Sequence, residues 1–399
     1  MKLLDDLADV GRDPRRGGWS RHLADAAEST LREWFVDEAR RRGLHVEADG
    51  NTNLWATWGD PTAPDAVVTG SHLDSVAGGG AYDGPLGVVS ALAAVDALRG
   101  RGVVPVRPVS IVVFAEEEGG RFGVPCLGSR LLTGSLDADR ARALRDPDGV
   151  TLAEALATGA LDPTRLGPDP ERVSRIGRLV ELHVEQGRAL APRGAPLAVG
   201  STIVAHGRWR LSFLGRADHA GTTRPADRRD PMIPAAATVL AARAAMARHG
   251  DDARATVGRL HPLPGGTNVI ASRVDVWLDA RGPLPQALVD DVTAAAREAA
   301  DAEGVTLEVR CESDSPAVTL DEALADVVAD AVAATVPEVG RLPTAAGHDA
   351  GVLAAHVPTA MLHVRNPTGV SHAPDEHADD ADVDTGVRAL ADTLAVLAT

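Results

Sequence analysis

The chain has 399 residues, long enough for two domains, and 44% hydrophobic content can supply real cores. Lys and Arg total 40 against 57 Asp and Glu, and the resulting net charge of −17 argues against nucleic acid or an anionic membrane as partner. Two cysteines, Cys126 and Cys311, make neither a disulfide framework nor a thiolate metal site; reduced thiols and a cytoplasmic location are expected.

Residues 19–43 read as an amphipathic helix, with Leu23, Ala26, Leu31, Trp34 and Phe35 at mostly helical spacing. The acids Asp5 and Asp6 precede any apolar core long enough for a signal peptide, and no apolar run approaches the ~20 residues of a membrane span. Residues 66–69 and 109–114 are short apolar runs of the kind buried on both faces of a sheet, and 87–98 between them suits a helix. That β–α–β alternation predicts an α/β fold, a mostly parallel sheet with helices on both faces. His72 and the Glu116–Glu118 run then fall just past strand C-termini, where open α/β sheets bind ligands.

A second pattern starts near residue 205. Residues 209–214 alternate like a half-exposed strand, an Ala-rich helix covers about 232–248, residues 273–279 read as a strand, 286–302 as a helix and 305–309 as a strand. This predicts a smaller α+β domain at 207–321, inserted into a larger one formed by 1–206 and 322–399. The Asp-rich stretch 375–384 reads as solvated surface.

Candidate chemistry gathers in Gly-flanked loops of the larger domain. His72-x-Asp74 is a unit in which the carboxylate can orient the imidazole. Asp83, between Gly79-Gly80 and Gly84, can approach closely and bridge two cations. Three adjacent acids at a buried strand end repel one another, and a metal at Glu118 would relieve them, leaving Glu117 as a free base and Glu116 structural or solvated. His183 and His372 complete an oxygen/nitrogen ligand set for two divalent metals, which suits Zn²⁺, Mn²⁺ or Co²⁺. Two metals about 3.5–4 Å apart can share a water and polarise the bond under attack. The reading is a hydrolase. His22, His45, His249, His261, His356, His363 and His377 read as structural or surface.

The strings GSHLDSV, YDGPLG, AEEEGGRFG, ELHVEQG, ADHAGTT, TNVI and GVSHAPDE, in this order, resemble the dinuclear metallo-amidohydrolases that cleave N-carbamoyl groups. That group comprises allantoate amidohydrolase, N-carbamoyl-L-amino-acid hydrolase and β-ureidopropionase, relatives of aminoacylase-type exopeptidases. The resemblance runs from about residue 20 to the end. It implies Asp83 as bridging ligand, His72 and His183 on one metal, and Glu118 and His372 on the other. Glu117 would be general base and then general acid. It further implies that His219 hydrogen-bonds the tetrahedral oxyanion, and that Gln186, Asn268 and Arg281 hold the ureido group and substrate carboxylate. A homodimer through the inserted lid and dimerisation domain, with hinge closure over the substrate, belongs to the same implication. His183 stands where peptidase relatives typically carry an acid, which points to the carbamoylase branch.

Two departures concern the substrate. Arg224-Pro225 replaces a common Pro-Met, and Val364-Arg365-Asn366-Pro367 replaces a common Val-Pro-Ser; both place a cation near loops suited to line the substrate pocket. Gln186, Arg365 and Asn366 could serve the second ureido arm of allantoate, so allantoate is the preferred substrate over N-carbamoyl amino acids. Arg281 offers a guanidinium fork to a carboxylate. A dinuclear aminopeptidase or aminoacylase and a catalytically silent metal-binding relative are the alternatives, disfavoured by His183 with Gln186 and by Glu117 respectively.

Overall fold

A computed structural model describes residues 2–159 and 161–399. The chain divides into two compact units, one formed by 1–203 with 319–399 and the other by 204–318.

The first unit begins with one helical turn, Lys2–Asp5, and continues with helix α1 (Ala26–Arg41), capped by the Asp25 side chain accepting from the Glu28 N–H. The stretch 19–25 expected to be helical is not: Ala24 has a φ of 59°, and Trp19 pairs its backbone with Gly79. Strands β1 (His45–Ala48), β2 (Leu54–Trp58) and β3 (Ala66–His72) follow. Helix α2 (Pro85–Gly100) starts with Pro85, whose missing N–H is no loss at a helix start, and buries most of its length. Then come β4 (Val109–Phe114), the short helix α3 (Leu127–Thr133), β5 (Ile176–Val184) and β6 (Leu197–Ile203).

The second unit contains β7 (His206–Leu214), β8 (Asp218–His219), helix α4 (Met232–His249), β9 (Arg254–Leu263), β10 (Val269–Ile270), β11 (Arg273–Arg281), helix α5 (Pro285–Glu303) and β12 (Thr306–Ser315). Its four-stranded sheet, in the order β12-β7-β11-β9, is antiparallel throughout. Phe213, Val274, Val276 and Leu278 pack with Ala242 and Val292 of the helices in one core. Strand β9 was not foreseen. Its residues are mostly exposed and include Gly258 and Pro262, so it lacks the apolar alternation that marks a half-buried strand.

The chain then returns to the first unit with β13 (Val318–Thr319), helix α6 (Glu322–Val332), β14 (Gly340–Thr344), the short helix α7 (Asp349–Leu353), β15 (Thr359–Val364) and helix α8 (Asp380–Ala398). The main sheet runs β1-β2-β4-β3-β5-β15-β6-β13, with β14 also on β6. The middle strands β4, β3, β5 and β15 are parallel neighbours, while β1 and β2 extend the sheet antiparallel. The expected α/β sheet is therefore present, with an antiparallel edge the β–α–β pattern did not announce.

Two parallel ladders continue past the apolar runs that revealed them. His72 pairs Phe114, and His183 pairs His363, so both histidines lie on strands rather than in the loops after them. Polar residues are affordable there because they are partnered: the Ser71 hydroxyl donates to Glu181 at 2.8 Å. No described helix is long and apolar enough to cross a membrane.

Candidate metal centre

The C-terminal ends of β3, β4 and β5 bring His72, the Glu116–Glu118 run and His183 together, and the loop between β3 and α2 adds Asp83. Asp83 directs its two oxygens to different neighbours. Oδ1 lies 3.2 Å from His183 Nε2 and 3.7 Å from His72 Nε2. Oδ2 lies 3.3 Å from His372 Nε2, which is itself 3.2 Å from Glu118 Oε2. Two groups of close ligand atoms result, His72–Asp83–His183 and Asp83–Glu118–His372, with Asp83 common to both.

The donor atoms fit divalent cations. His72 and His183 bond through Nδ1 to the main-chain carbonyls of Asp74 and Val184, at 3.0 and 2.9 Å. Each Nδ1 then carries the proton, and the Nε2 lone pair points inward. Both Nε2 atoms and Glu118 Oε1 are buried with no hydrogen-bond partner, the state expected of ligand atoms. A third group, Glu181–His183–His348, reads differently. Glu181 already accepts from Ser71 and from the Ala350 N–H at 3.1 Å, so it holds the start of α7 in place.

The electrostatics point the same way. Burial alone would lower the pKa of His72, but Glu117, Asp83 and Asp74 hold it well above the usual histidine value. His372, whose side chain is half exposed, behaves alike: partial desolvation is outweighed by Asp83 and Glu118, and its pKa is pushed up to about 11. Burial would raise Asp83, yet His183, His372 and His72 hold it well below the carboxylate range. Burial raises Glu117 well above the ordinary value, and Asp349, Glu118 and Asp74 add to it against the opposing pull of His72. A pocket that holds protons on imidazoles this strongly also favours divalent cations, which compete for the same lone pairs.

The backbone is shaped for this approach. Gly84 adopts a φ of 83°, and a Cβ there would lie 2.4 Å from the His72 ring. Glu376 was unforeseen, since it sits in the stretch read as solvated. It is buried, and its Oε2 accepts the backbone N–H groups of Tyr82 and Asp83 at 2.9 and 3.0 Å. Burial and the Asp83 charge push its pKa up to about 7. Asp382 of the same stretch is also buried, paired with Arg365 at 2.6 Å. Glu376→Ala leaves two amides without their acceptor, at a cost of about 1–3 kcal/mol for each buried one. The expected result is a lower melting temperature together with a lower metal content; an unchanged metal content would mean that Asp83 does not depend on Glu376.

Three expectations about individual residues change. The Asp74 carboxylate does not bond the His72 ring: it stands 3.7 Å from Nδ1, and the main-chain carbonyl of Asp74 takes that bond. The carboxylate instead accepts the N–H groups of Glu117 and Glu118, each at 3.1 Å, so Asp74 positions the base and its neighbouring ligand. Arg365 is tied to Asp382, and Asn366 is fully buried, accepting from Thr368 and Gly369 and donating to Val370. Neither is open to a ureido arm. The guanidinium of Arg281 is already held by Asp279, two residues back on the same face of β11, at 2.7 and 3.2 Å.

The remaining assignments are placed as follows. Gln186 donates to Asp83 Oδ2 at 2.9 Å, and its Oε1 is buried without a partner. Glu116, buried as a structural group, accepts from the N–H groups of Arg121 and Phe122. The Cys126 thiol donates to Glu117 Oε1 at 3.4 Å, leaving Oε2 facing His72 at 3.6 Å. In the second unit, β8 pairs with β10, setting exposed His219 opposite Val269, and the Ala220 N–H donates to the Asn268 carbonyl. His219 and Asn268 are thus neighbours on one surface.

A model of the peptidase family M20/M25/M40 matches residues 46–396. The chain belongs to this family. It is 36% identical to the N-carbamoyl-L-amino acid amidohydrolase of Geobacillus stearothermophilus, over 99% of this chain and 97% of that one. It is 30% identical to the allantoate amidohydrolase of Escherichia coli K12, over 100% and 97%. The crystal structure of an amidase of the hydantoinase/carbamoylase family from Burkholderia vietnamiensis superposes with a TM-score of 0.90 at 27% identity, covering 100% of this chain and 96% of that one. The protein is a hydrolytic enzyme acting on amide bonds.

Proposed function

We propose that the protein hydrolyses the terminal amide of an N-carbamoyl amino acid, releasing ammonia, carbon dioxide and the free amino acid. The observation that carries this reading is Asp83, whose two oxygens serve two ligand groups beside the unliganded carboxylate of Glu117. His72, Asp83 and His183 would hold one divalent ion, and Asp83, Glu118 and His372 the other, as Zn²⁺, Mn²⁺ or Co²⁺. When bound, such ions supply Lewis acidity towards a water and an amide carbonyl.

The chain's own residues do the rest. Glu117 takes a proton from the attacking water and returns it to the leaving nitrogen. Cys126 steadies one of its oxygens and Asp74 fixes its main chain, so the other oxygen is presented to the centre. A histidine rather than an acid at position 183 leaves two carboxylate ligands against two dications, about +2 in formal charge, which favours a negative tetrahedral intermediate. Gln186 Oε1, buried and unpartnered, suits the N–H of a ureido group. From the inserted domain, His219 would stabilise the oxyanion and Asn268 would bind the substrate carboxylate, which Arg281 would reach by exchanging its bonds to Asp279. Dimerisation through that domain, acting as a lid, belongs to the same reading.

Allantoate is the second reading, favoured by the likeness to the Escherichia coli enzyme. It ranks second because Arg365 and Asn366, the side chains that spoke for it, are engaged elsewhere, and because the likeness to the Geobacillus enzyme is greater. The test is ammonia release from N-carbamoyl-L-methionine, N-carbamoyl-β-alanine and allantoate at equal metal loading, beside amino-acid release from dipeptides. Highest kcat/KM on N-carbamoyl-L-methionine is expected. Preference for allantoate exchanges the two readings, and turnover of dipeptides alone overturns both.

A further inference from the structure

The inserted unit contains a cavity of about 510 Å³ whose lining includes Arg216, Arg224, Arg228 and Arg229 together with Asp218 and Asp227. Four guanidinium groups against two carboxylates give 4 − 2 = +2 in one concavity, on a chain whose net charge is −17. We propose that this pocket is a binding site for a small anion bearing carboxylate groups.

The arginines are not consumed by their neighbours. Asp227 takes the Nε of Arg224 at 2.8 Å, and Asp218 stands 3.7 Å from Arg216 in an exposed pair. Exposed pairs of this kind are weak and yield readily to a better ligand. Arg228 donates to the carbonyls of Thr223 at 3.2 Å and Ala220 at 2.7 Å; among the described residues it has no carboxylate within ion-pair distance. Arg229 likewise has no acidic partner among them. Guanidinium forks match carboxylates in two-pronged geometry, which gives the site its preferred chemistry.

The wall of the pocket is also fixed in advance. The carbonyl of His219 accepts the N–H and the hydroxyl of Thr223, at 3.1 and 2.8 Å, and the two bonds from Arg228 lace the same loop. A loop already ordered loses little entropy when a ligand arrives. The carboxylate can come from an acidic side chain on the substrate or from a free diacid. The first source rests on the ureido-acid reading above; the second does not.

The test uses the full-length, metal-loaded protein and malonate as probe, in calorimetric titrations at low salt against wild type, Arg224→Gln and Arg229→Gln. Arg228 is left intact because it laces the loop. Saturable malonate binding that weakens with salt, and by about 10-fold or more in each variant, is expected for the loss of a charge-assisted contact. Equal binding by wild type and both variants would place malonate elsewhere, the metal centre included, and overturn the proposal. So would absence of saturable binding in the wild type. A kinetic arm separates the sources through the kcat/KM ratio of N-carbamoyl-L-aspartate to N-carbamoyl-L-alanine. A ratio that falls 10-fold or more in Arg224→Gln assigns the pocket to the substrate. A ratio that does not move, with malonate altering the wild-type rate but not that of the variants, assigns it to a free diacid. If no ureido acid is turned over, the functional reading fails while the malonate titration still decides the pocket.

Discussion

Glu117→Gln keeps its bound metal and loses about 10²- to 10⁴-fold in turnover, the usual contribution of a positioned acid–base group. Glutamine has the shape of glutamate and retains an acceptor for the Cys126 thiol, so the packing at this buried position survives. What it lacks is the capacity to take and return a proton. Glu118→Gln behaves in the opposite way. Its Oε2 faces His372 in the second ligand group, so the substitution weakens the occupancy of one metal before it touches the chemistry. Metal content by elemental analysis, read beside kcat, separates the two. Retention of both metals in Glu118→Gln with loss of one in Glu117→Gln would reverse the assignment within the acidic run.

Asp83→Asn abolishes turnover and lowers the affinity for both metals, because one side chain serves both ligand groups. Outer partners of a metal ligand are typically worth about 10- to 100-fold in affinity or activity, and a shared ligand exceeds that. Chelation produces the same loss of activity without the substitution. The fold survives it, because the core beneath the site is a continuous aliphatic cluster that includes Val67, Leu86, Val113, Val180, Leu182 and Leu362. Added Mn²⁺, Zn²⁺ or Co²⁺ then restores turnover. Circular dichroism and thermal melts before and after stripping check the fold, and full turnover in thoroughly stripped protein would contradict the dinuclear reading.

The residues legible from sequence are those whose types conflict with their setting. Three acids at the end of an all-apolar strand are the hardest to explain blandly, whereas each histidine alone reads as structural and gains weight only in company; His72, His183, His372, Asp83 and Glu118 do fall into two adjoining ligand groups. Helices α2, α4 and α5 and strand β4 were equally readable, α2 and β4 from unbroken apolar runs that end up buried and α4 from its Ala-rich composition. Strand β9 was missed because its side chains are largely exposed, leaving only backbone pairing to define it. Glu376 was missed because its role is to accept two main-chain N–H groups some 290 residues away in the chain, and composition marks only an acidic stretch. The orientation of Asp74 is not legible either: its main-chain carbonyl, not its carboxylate, bonds the imidazole. Spacing shows that a carboxylate is near the imidazole but not which of its oxygens, main chain or side chain, turns towards the ring.

The way the inserted unit enters and leaves the chain bears on how such an enzyme is made and remade. Its first and last long strands lie side by side, with His206 opposite Ser315, so the unit departs and returns through adjacent points. Segments whose ends meet are the ones most easily exchanged, shortened or grafted, since the host chain needs only a short turn to close the gap. A gene that replaces residues 204–318 with such a turn still encodes all five ligands and Glu117. During synthesis the order is stricter: His183 emerges before the insertion and His372 after it, so the second ligand group is complete only once residues on both sides of the insertion have been made. Any metal held by that group would therefore be captured only after the insertion has been made, which ties the filling of the site to the synthesis of a unit that supplies none of its proposed ligands.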